Sequence, residues 1–557
     1  MATGSLSSVP KRFLMVEDFS CTCCLEQNLT ESADIYCEQC LRFYCKKCVI
    51  LHSQLFTKHM TCGREDIKKW PVSKAVEDFL RKCEVHEDET LTQFCHDHSQ
   101  LCCSACVGTI HSQCSKVTQI SELTNTQPSG LEGLSVELET VLGEIKTLQI
   151  SQEASIQSLQ RTYNEHREVM IEQMCGNLNT YIDECDNNSV GTSGGNEQYL
   201  KEEICRNVVS IVNEFDNITA KELNEMKDEV ISIKGSVTSS IHKCTSVHND
   251  LSQFHEIVPK IGDHKQLCLI ASIKCKHIIQ QALTLLGKSG KAFNVQSNTK
   301  HNVRIPSDSD KCLITGICVL TDGQVLVADR RNERFKLLNQ QYQVVSHCGV
   351  AEYVRDMCQI TPSVVAVAVD DYNNTHNVQF ITVTQSQLTL GRKLELQHGC
   401  TGITCHQGDL FICSGTALFK YTLYGKQVCR LYEDRSSVNT VEKCAVSPTG
   451  DRLYITNCSH DKLHTLARDG TLLATYTDPA LRDPFGVHVT PAGQVLVCGN
   501  YSDTVQQVGW EGQSKLATLA RREDGVRSPW SVFYSSTTSS IIVGQLGRDN
   551  ILVFRVE

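Results

Sequence analysis

The 557-residue chain contains no run of 18 apolar residues, which excludes an ordinary membrane-crossing helix. Its first 20 residues, MATGSLSSVPKRFLMVEDFS, hold no apolar core long enough for an export signal. Net positive charge is missing too. Basic and acidic residues balance between 300 and 557, so the whole net charge of −11 lies in the first 299 residues. The usual electrostatic footprint of a nucleic-acid binder is therefore absent at this coarse level. Also absent, in any credible context, are a GxxxxGK[ST] phosphate loop, a GxSxG nucleophile elbow and an HExxH helix. His406, His460, His464 and His488, with Asp370 and Asp371, have no spacing that pairs them. No catalytic residue is assigned, and the chain is expected not to be an enzyme.

Cysteine, in contrast, is abundant: 31 residues. With no export signal, and with CxxC and CxxH pairs, the pattern reads as metal ligation in a reducing, intracellular setting rather than as a disulfide scaffold. Most later cysteines are scattered singly and read as small buried hydrophobes. The length exceeds one ordinary domain, so about three folding units are expected.

Sixteen cysteines and histidines form two consecutive octets. The first is Cys21, Cys24, Cys37, Cys40, Cys45, Cys48, His52 and His59. The second is Cys83, His86, Cys95, His98, Cys103, Cys106, His111 and Cys114. Zinc takes four N or S donors in a tetrahedron, and each close pair supplies two from one tight turn. The interleaved order suggests a cross-brace. Cys21, Cys24, Cys45 and Cys48 would hold one ion, and Cys37, Cys40, His52 and His59 a second. Cys83, His86, Cys103 and Cys106 would hold a third, and Cys95, His98, His111 and Cys114 a fourth. Cys23, Cys62, His96 and Cys102 lie beside these and are alternatives. About four zinc ions per chain are expected. With every position filled by protein, they would be structural and would supply most of the folding free energy of such small segments.

The octets, with Phe43-Tyr44 before Cys45 and Phe94 before Cys95, resemble tandem B-box zinc fingers, type 1 then type 2, of the tripartite-motif (TRIM) family. Cys114 stands where that family commonly has histidine. The family's usual RING finger is not expected here, because the 20 residues before Cys21 contain neither cysteine nor histidine. A RING variant in the first octet fits less well, since it lacks the Cys-x-His-x2-Cys core and ends in two histidines.

From 120 to 290, proline and glycine thin out. Leu134, Leu138, Val141, Ile145 and Leu148 follow the 4-3 spacing of a coiled-coil seam. The phase slips through Gln152 and resumes at Ile156, Leu159, Tyr163, His166 and Met170, which is a stutter. The segment 186–196 (DNNSVGTSGGN) breaks the helix. A second seam runs through Ile204, Val208, Ile211, Phe215 and Ile218, extended by Met226, Val230 and Ile233. The family resemblance implies an antiparallel coiled-coil homodimer; the alternative is a helical bundle packed on its own chain. Residues 265–288 are more apolar and read as a final helix folding back on the rod or meeting the next domain.

Beyond residue 310 the period becomes two. Six related segments recur, with corresponding positions at Gly316, Asp356, Gly402, Ala445, Gly486 and Ser531. A period near forty, with some four strands per unit, is the signature of a propeller. Asp329, Asn332 and Arg334 resemble the D-x-x-N-x-R motif of the NHL repeat, matched loosely at Asn500–Asp503 and Arg548–Asn550. NHL propellers of TRIM relatives bind RNA or protein. Arg330, Arg331, Arg334 and Lys336 form a local basic cluster, and Arg521-Arg522 another, yet the neutral balance favours protein.

The expected fold class is multidomain: small zinc-stapled modules, an all-α coiled coil and an all-β six-bladed propeller. The expected boundaries are a disordered N-terminus at 1–17, a type-1 B-box at 18–65, a type-2 B-box at 78–118, a coiled coil at 120–290 and an NHL-like propeller at 300–557. The expected function is that of a dimeric, cytoplasmic, zinc-binding adaptor whose propeller recognises a protein, with no membrane contact. Ubiquitin ligation with a RING-bearing partner and RNA binding through the propeller are the alternatives.

Overall fold

The computed structural model describes residues 19–124, 131, 133–189, 197–262, 264–350, 353–370 and 375–557. Two compact units share them. One comprises 1–147 with 243–283, the other 148–242 with 284–557. The expectation for 1–17 and most of the helix break at 186–196 lie outside the described residues, as do the side chains of Ile204, Val208, Ile211, Phe215 and Ile218.

In the first unit, two small modules each carry a three-stranded antiparallel sheet and a short helix. The first has strands Ile35–Cys37, Arg42–Tyr44 and Thr61–Gly63 and the helix Lys46–Leu55. The second has strands Gln93–Cys95, Gln100–Cys102 and Val117–Gln119 and the helix Ser104–Thr109. Strands of three residues pair over too little area to be stable alone. The first module's apolar core is correspondingly small: Ala33, Tyr36, Cys62 and Trp70, with Phe19 and Phe43 packed against them. Between the modules lies the helix Lys74–Arg81, whose Ser73 cap accepts from the Val76 N–H at 3.3 Å. The helix Lys265–Leu285 buries Leu267, Ile270, Ala271, Ile278 and Ile279. Its buried Lys274 amine donates to the Lys82 carbonyl at 3.1 Å.

Two long helices, Leu134–Ser189 and Glu197–Ile257, contribute to both units. The seam positions Leu134, Leu138, Val141, Ile145 and Leu148 are buried. In the second unit the helices run antiparallel within one chain. Gln152, the stutter position, is buried and donates to Ser240 Oγ at 2.7 Å. A long free-standing coiled coil is not what these residues form. Leu159, Tyr163, Met226, Val230, Ile233 and Val237 share one apolar cluster with Val378, Phe380, Leu410 and Tyr424 of the β-region. His166 stacks on Tyr424 with ring centroids 5.0 Å apart. The physical reason is composition: the seam past the stutter carries Tyr163, His166 and Met170, which suit an irregular β-surface better than a regular knobs-into-holes partner.

The β-region is a ring of six four-stranded antiparallel sheets, a propeller-like arrangement. The inner strands are Ile314–Val319, Val354–Thr361, Gly402–His406, Cys444–Val446, Pro484–Val489 and Pro529–Ser535. Each inner strand neighbours the next, and the sixth returns to the first. The last sheet takes its outer strand, Val295–Asn302, from the start of the region, pairing it with Asn550–Val556. This closes the ring non-covalently with both ends of the domain. The repeated glycines mark close approach near the axis. A Cβ on Gly402 would meet Lys443 Cα at 2.7 Å, and one on Gly486 would meet Ser531 Cα at 2.9 Å. No helix among the described residues is long and apolar enough to cross a membrane.

Candidate metal centres and the ring

The sixteen sequence-predicted ligands gather into four quartets: Cys21, Cys24, Cys45 and Cys48; Cys37, Cys40, His52 and His59; Cys83, His86, Cys103 and Cys106; Cys95, His98, His111 and Cys114. Within each, the candidate donor atoms all lie within 4.8 Å of one another. In both modules the second and third ligand pairs sit at opposite ends of a hairpin and its following helix. Cys37 ends the first strand of the first module and Cys45 caps its helix, while Cys95 and Cys103 take the same places in the second. The hairpin thus sends alternate pairs to opposite ends of the module.

Donor spacing matches a zinc tetrahedron. Bonds of about 2.3 Å to sulfur and about 2.0–2.1 Å to nitrogen give edges of about 3.8 Å between sulfurs and about 3.5 Å between sulfur and nitrogen. Cys24 Sγ lies 3.9 Å from Cys45 Sγ and 3.6 Å from Cys48 Sγ, and Cys83 Sγ lies 3.7 Å from Cys106 Sγ. Cys37 Sγ is 3.6 Å from His59 Nδ1, and Cys40 Sγ is 3.3 Å from His52 Nε2. Cys106 Sγ and Cys103 Sγ stand 3.3 and 3.4 Å from His86 Nδ1. His98 Nδ1 sits 3.5 Å from Cys95 Sγ, 3.2 Å from Cys114 Sγ and 3.2 Å from His111 Nδ1. The donor sets, one of four sulfurs, one of three sulfurs with one nitrogen and two of two sulfurs with two nitrogens, are those zinc favours.

The alternative ligands stand outside the quartets. Cys62 donates to Glu38 Oε1 at 3.3 Å, and His96 Nε2 lies 3.0 Å from Thr118 Oγ1. Cys102 is buried on the strand next to Cys103, and Cys23 is half-buried on the first module. The described cysteines form no disulfide.

In the ring, one member of the basic cluster read from the sequence, Lys336, is buried, and others are engaged by neighbouring groups. Lys336 is fully buried, its amine 2.6 Å from Asp308 Oδ2 and 2.7 Å from Asp329 Oδ2. Hydrogen bonds to both carboxylates raise the Lys336 pKa against the opposing effect of burial. Asp308, Cys312 and Asp329 form a further group of metal-type donors, and the Lys336 ammonium lies against all three. Arg334 lies 3.6 Å from Asp308, and Arg330 stacks over Tyr353. Arg331, Arg521 and Arg522 are exposed, and Arg522 lies 3.7 Å from Asp503.

The sequence reading missed a repeated latch. Asp461, Asp503 and Asp549 each sit in the loop between the second and third strands of a blade. Each accepts from the backbone leading into the next inner strand: Asp461 from Asp483 N at 2.6 Å, Asp503 from Ser528 N at 2.7 Å and Asp549 from Cys312 N at 3.1 Å. Asp461 and Asp503 hold left-handed backbone, at φ 55° and 53°, which Asp tolerates better than most residues. In the first blade the latch position is Glu333, just after Asn332 of the D-x-x-N motif, so that motif marks the loop but not the latch, and the blade-to-blade tie required the fold.

No family model matches the chain, and no curated protein matches it. Solved structures do. Virginiamycin B lyase from Staphylococcus aureus is 12% identical, with 47% of this chain and 99% of that one covered at a TM-score of 0.34. A protein of unknown function from Bacteroides thetaiotaomicron is 12% identical, over 47% and 76% of the two chains, at 0.40. A luciferin-regenerating enzyme is 11% identical, over 47% and 95%, at 0.37. Enzymes thus stand among the matches, and the expectation that this chain is not an enzyme is withdrawn. That expectation rested on the absence of contiguous motifs, whereas a ring can assemble a site from single residues on separate blades.

Proposed function

We propose that the chain is a zinc-stapled adaptor of tripartite-motif type, which self-associates through its helices and recognises a protein with its ring. The quartets would each bind one zinc ion, held by the sixteen residues named above. Such an ion, with four protein donors, holds a fold together and leaves no position for substrate. The recognition claim is carried by one observation: Tyr501 and Val438 are 76% and 70% exposed. They lie on loops of adjacent blades at the end of the ring where the inner strands begin. An exposed Tyr is a residue type enriched among interface anchors. The burial of Lys336 and the pairing of Arg334 with Asp308 weaken the case for RNA, because phosphate contact needs accessible cations.

Self-association is supported by Val169, Ile171, Ile182 and Val209, which are exposed on the two long helices. Light scattering at micromolar concentration should give twice the chain mass, and a monomer would refute this part. For recognition, the full-length chain and its Tyr501→Ala/Val438→Ser variant would be used as baits, with and without RNase. A protein retained by the parent, lost by the variant and indifferent to RNase is the expected result. Retention abolished by RNase would overturn it in favour of RNA. A cytoplasmic location, suggested by the metal-type cysteine quartets, would be checked by fractionation.

A further inference from the structure

The axis of the ring holds a cavity of about 210 Å³ lined by residues of all six inner strands. Each inner strand is the terminal strand of its sheet. The strand edges facing the axis therefore carry backbone N–H and C=O groups with no strand partner, and these need water or a ligand. The cavity is crossed at the end where the strands begin. Lys443, on the fourth blade, donates to Asp356 Oδ1 on the second blade at 3.1 Å and to the Thr315 carbonyl on the first. First and fourth blades face each other in a ring of six, so this side chain spans the whole channel. Lys443 is 3% exposed.

Beyond that bar the lining residues include Met357, Cys405, Val487 and Phe533, with one imidazole, His488. The His488 ring packs on Phe533 with centroids 4.2 Å apart. No protein group among the described residues hydrogen-bonds its nitrogens. Burial pushes its pKa down to about 4, so at neutral pH it offers one donor and one acceptor and no charge. The ionisable groups at the bar, Lys443 and Asp356, are already paired with each other. A charged ligand would lose its hydration without gaining a counter-charge. An apolar engineered cavity of about 150 Å³ accepts benzene, so the space suits a single ring.

The geometry points to a binding site in this axial cavity for a small, uncharged, planar ring bearing adjacent N–H and C=O groups, a lactam or cyclic ureide. The ring would stack in the Phe533–His488 part of the wall, and its amide edge would pair with His488 and the free strand edges. This site is independent of the protein-recognition face proposed above.

The test uses the full-length chain with 2-pyridone, uracil and benzene as probes, read by saturation-transfer NMR and calorimetric titration. Saturation of 2-pyridone and uracil, with mutual competition, is expected. Ala445→Phe, which fills the cavity, should abolish it. His488→Leu, which keeps the bulk and removes the hydrogen bonds, should weaken binding by about tenfold. Both variants should keep the parent's circular dichroism; if Ala445→Phe fails to fold, His488→Leu decides. No saturation of either amide probe would mean that the channel holds solvent only, and would overturn the proposal. So would binding unchanged in His488→Leu, or benzene binding as tightly as 2-pyridone.

Discussion

The zinc-type modules and the ring reach stability by opposite routes. A module of about fifty residues buries a handful of aromatic side chains and gathers eight metal-type donor side chains into two quartets. The ring buries whole strands: Val325–Asp329 and Val495–Gly499 are buried at every position. Its polar exceptions, such as Lys336, are satisfied inside. On the proposed reading, one fold is conditional on a metal ligand, the other on closure of its own repeat. Ligand removal, buried-charge deletion and acid should therefore separate them.

Chelation should have the largest effect. Structural zinc supplies on the order of 10–16 kcal/mol to such modules, more than either could hold without it. A strong chelator should abolish hydrogen-exchange protection over residues 19–124 while the ring keeps its own. Elemental analysis should find about four zinc ions per chain beforehand. Fewer than two, or a module that stays protected after chelation, would break the contrast.

Lys336→Met is next. It leaves Asp308 and Asp329 facing each other in a dry interior, and breaking a buried pair this way costs about 3–5 kcal/mol. Urea unfolding of the ring should shift to lower midpoint by that amount, with the metal content unchanged. A smaller loss of about 2–4 kcal/mol is expected for Glu229→Ala. Glu229 holds Arg392 by two hydrogen bonds of 2.7 and 2.9 Å, and the guanidinium also lies over Phe380. This pair ties the helical hairpin to the second blade. The exchange protection of 148–170 and 222–242 should fall while the remaining blades stay protected.

The two regions also differed in how legible they were. The grouping of the Cys and His residues into quartets could be read from the sequence, because pair spacing is a local property and the cross-brace follows from pair order. The ring could be read as a period, since Gly402 and Gly486 recur where inner strands crowd the axis. What could not be read were relations between distant residues. The inward charge of Lys336 depends on Asp308, 28 positions away, and a string of Arg and Lys looks basic until its partners are placed. The seam Leu159, Tyr163 and Met170 had the period of a coiled coil, but the period names the buried face and not what covers it. The chain's own second and third blades do.

The smallest effect concerns acid, and it sharpens the contrast on the side of the ring. His406 closes the third inner strand, its Nε2 is buried without a partner, and its ring fills the space beside Gly450. Burial, reinforced by Arg468 and Lys420 and opposed by Asp451, lowers its pKa to about 4. A histidine depressed in the fold is neutral there while the unfolded chain takes up a proton below about 6.5. Its contribution is thus present in full above pH 6.5 and declines as pH falls towards 4. Between pH 6.5 and 5 the ring should lose roughly 1–2 kcal/mol through this group. His406→Phe should remove that part of the slope in urea midpoints measured across the same interval. An unchanged slope would place the proton uptake elsewhere and remove His406 from the account of the ring's acid sensitivity.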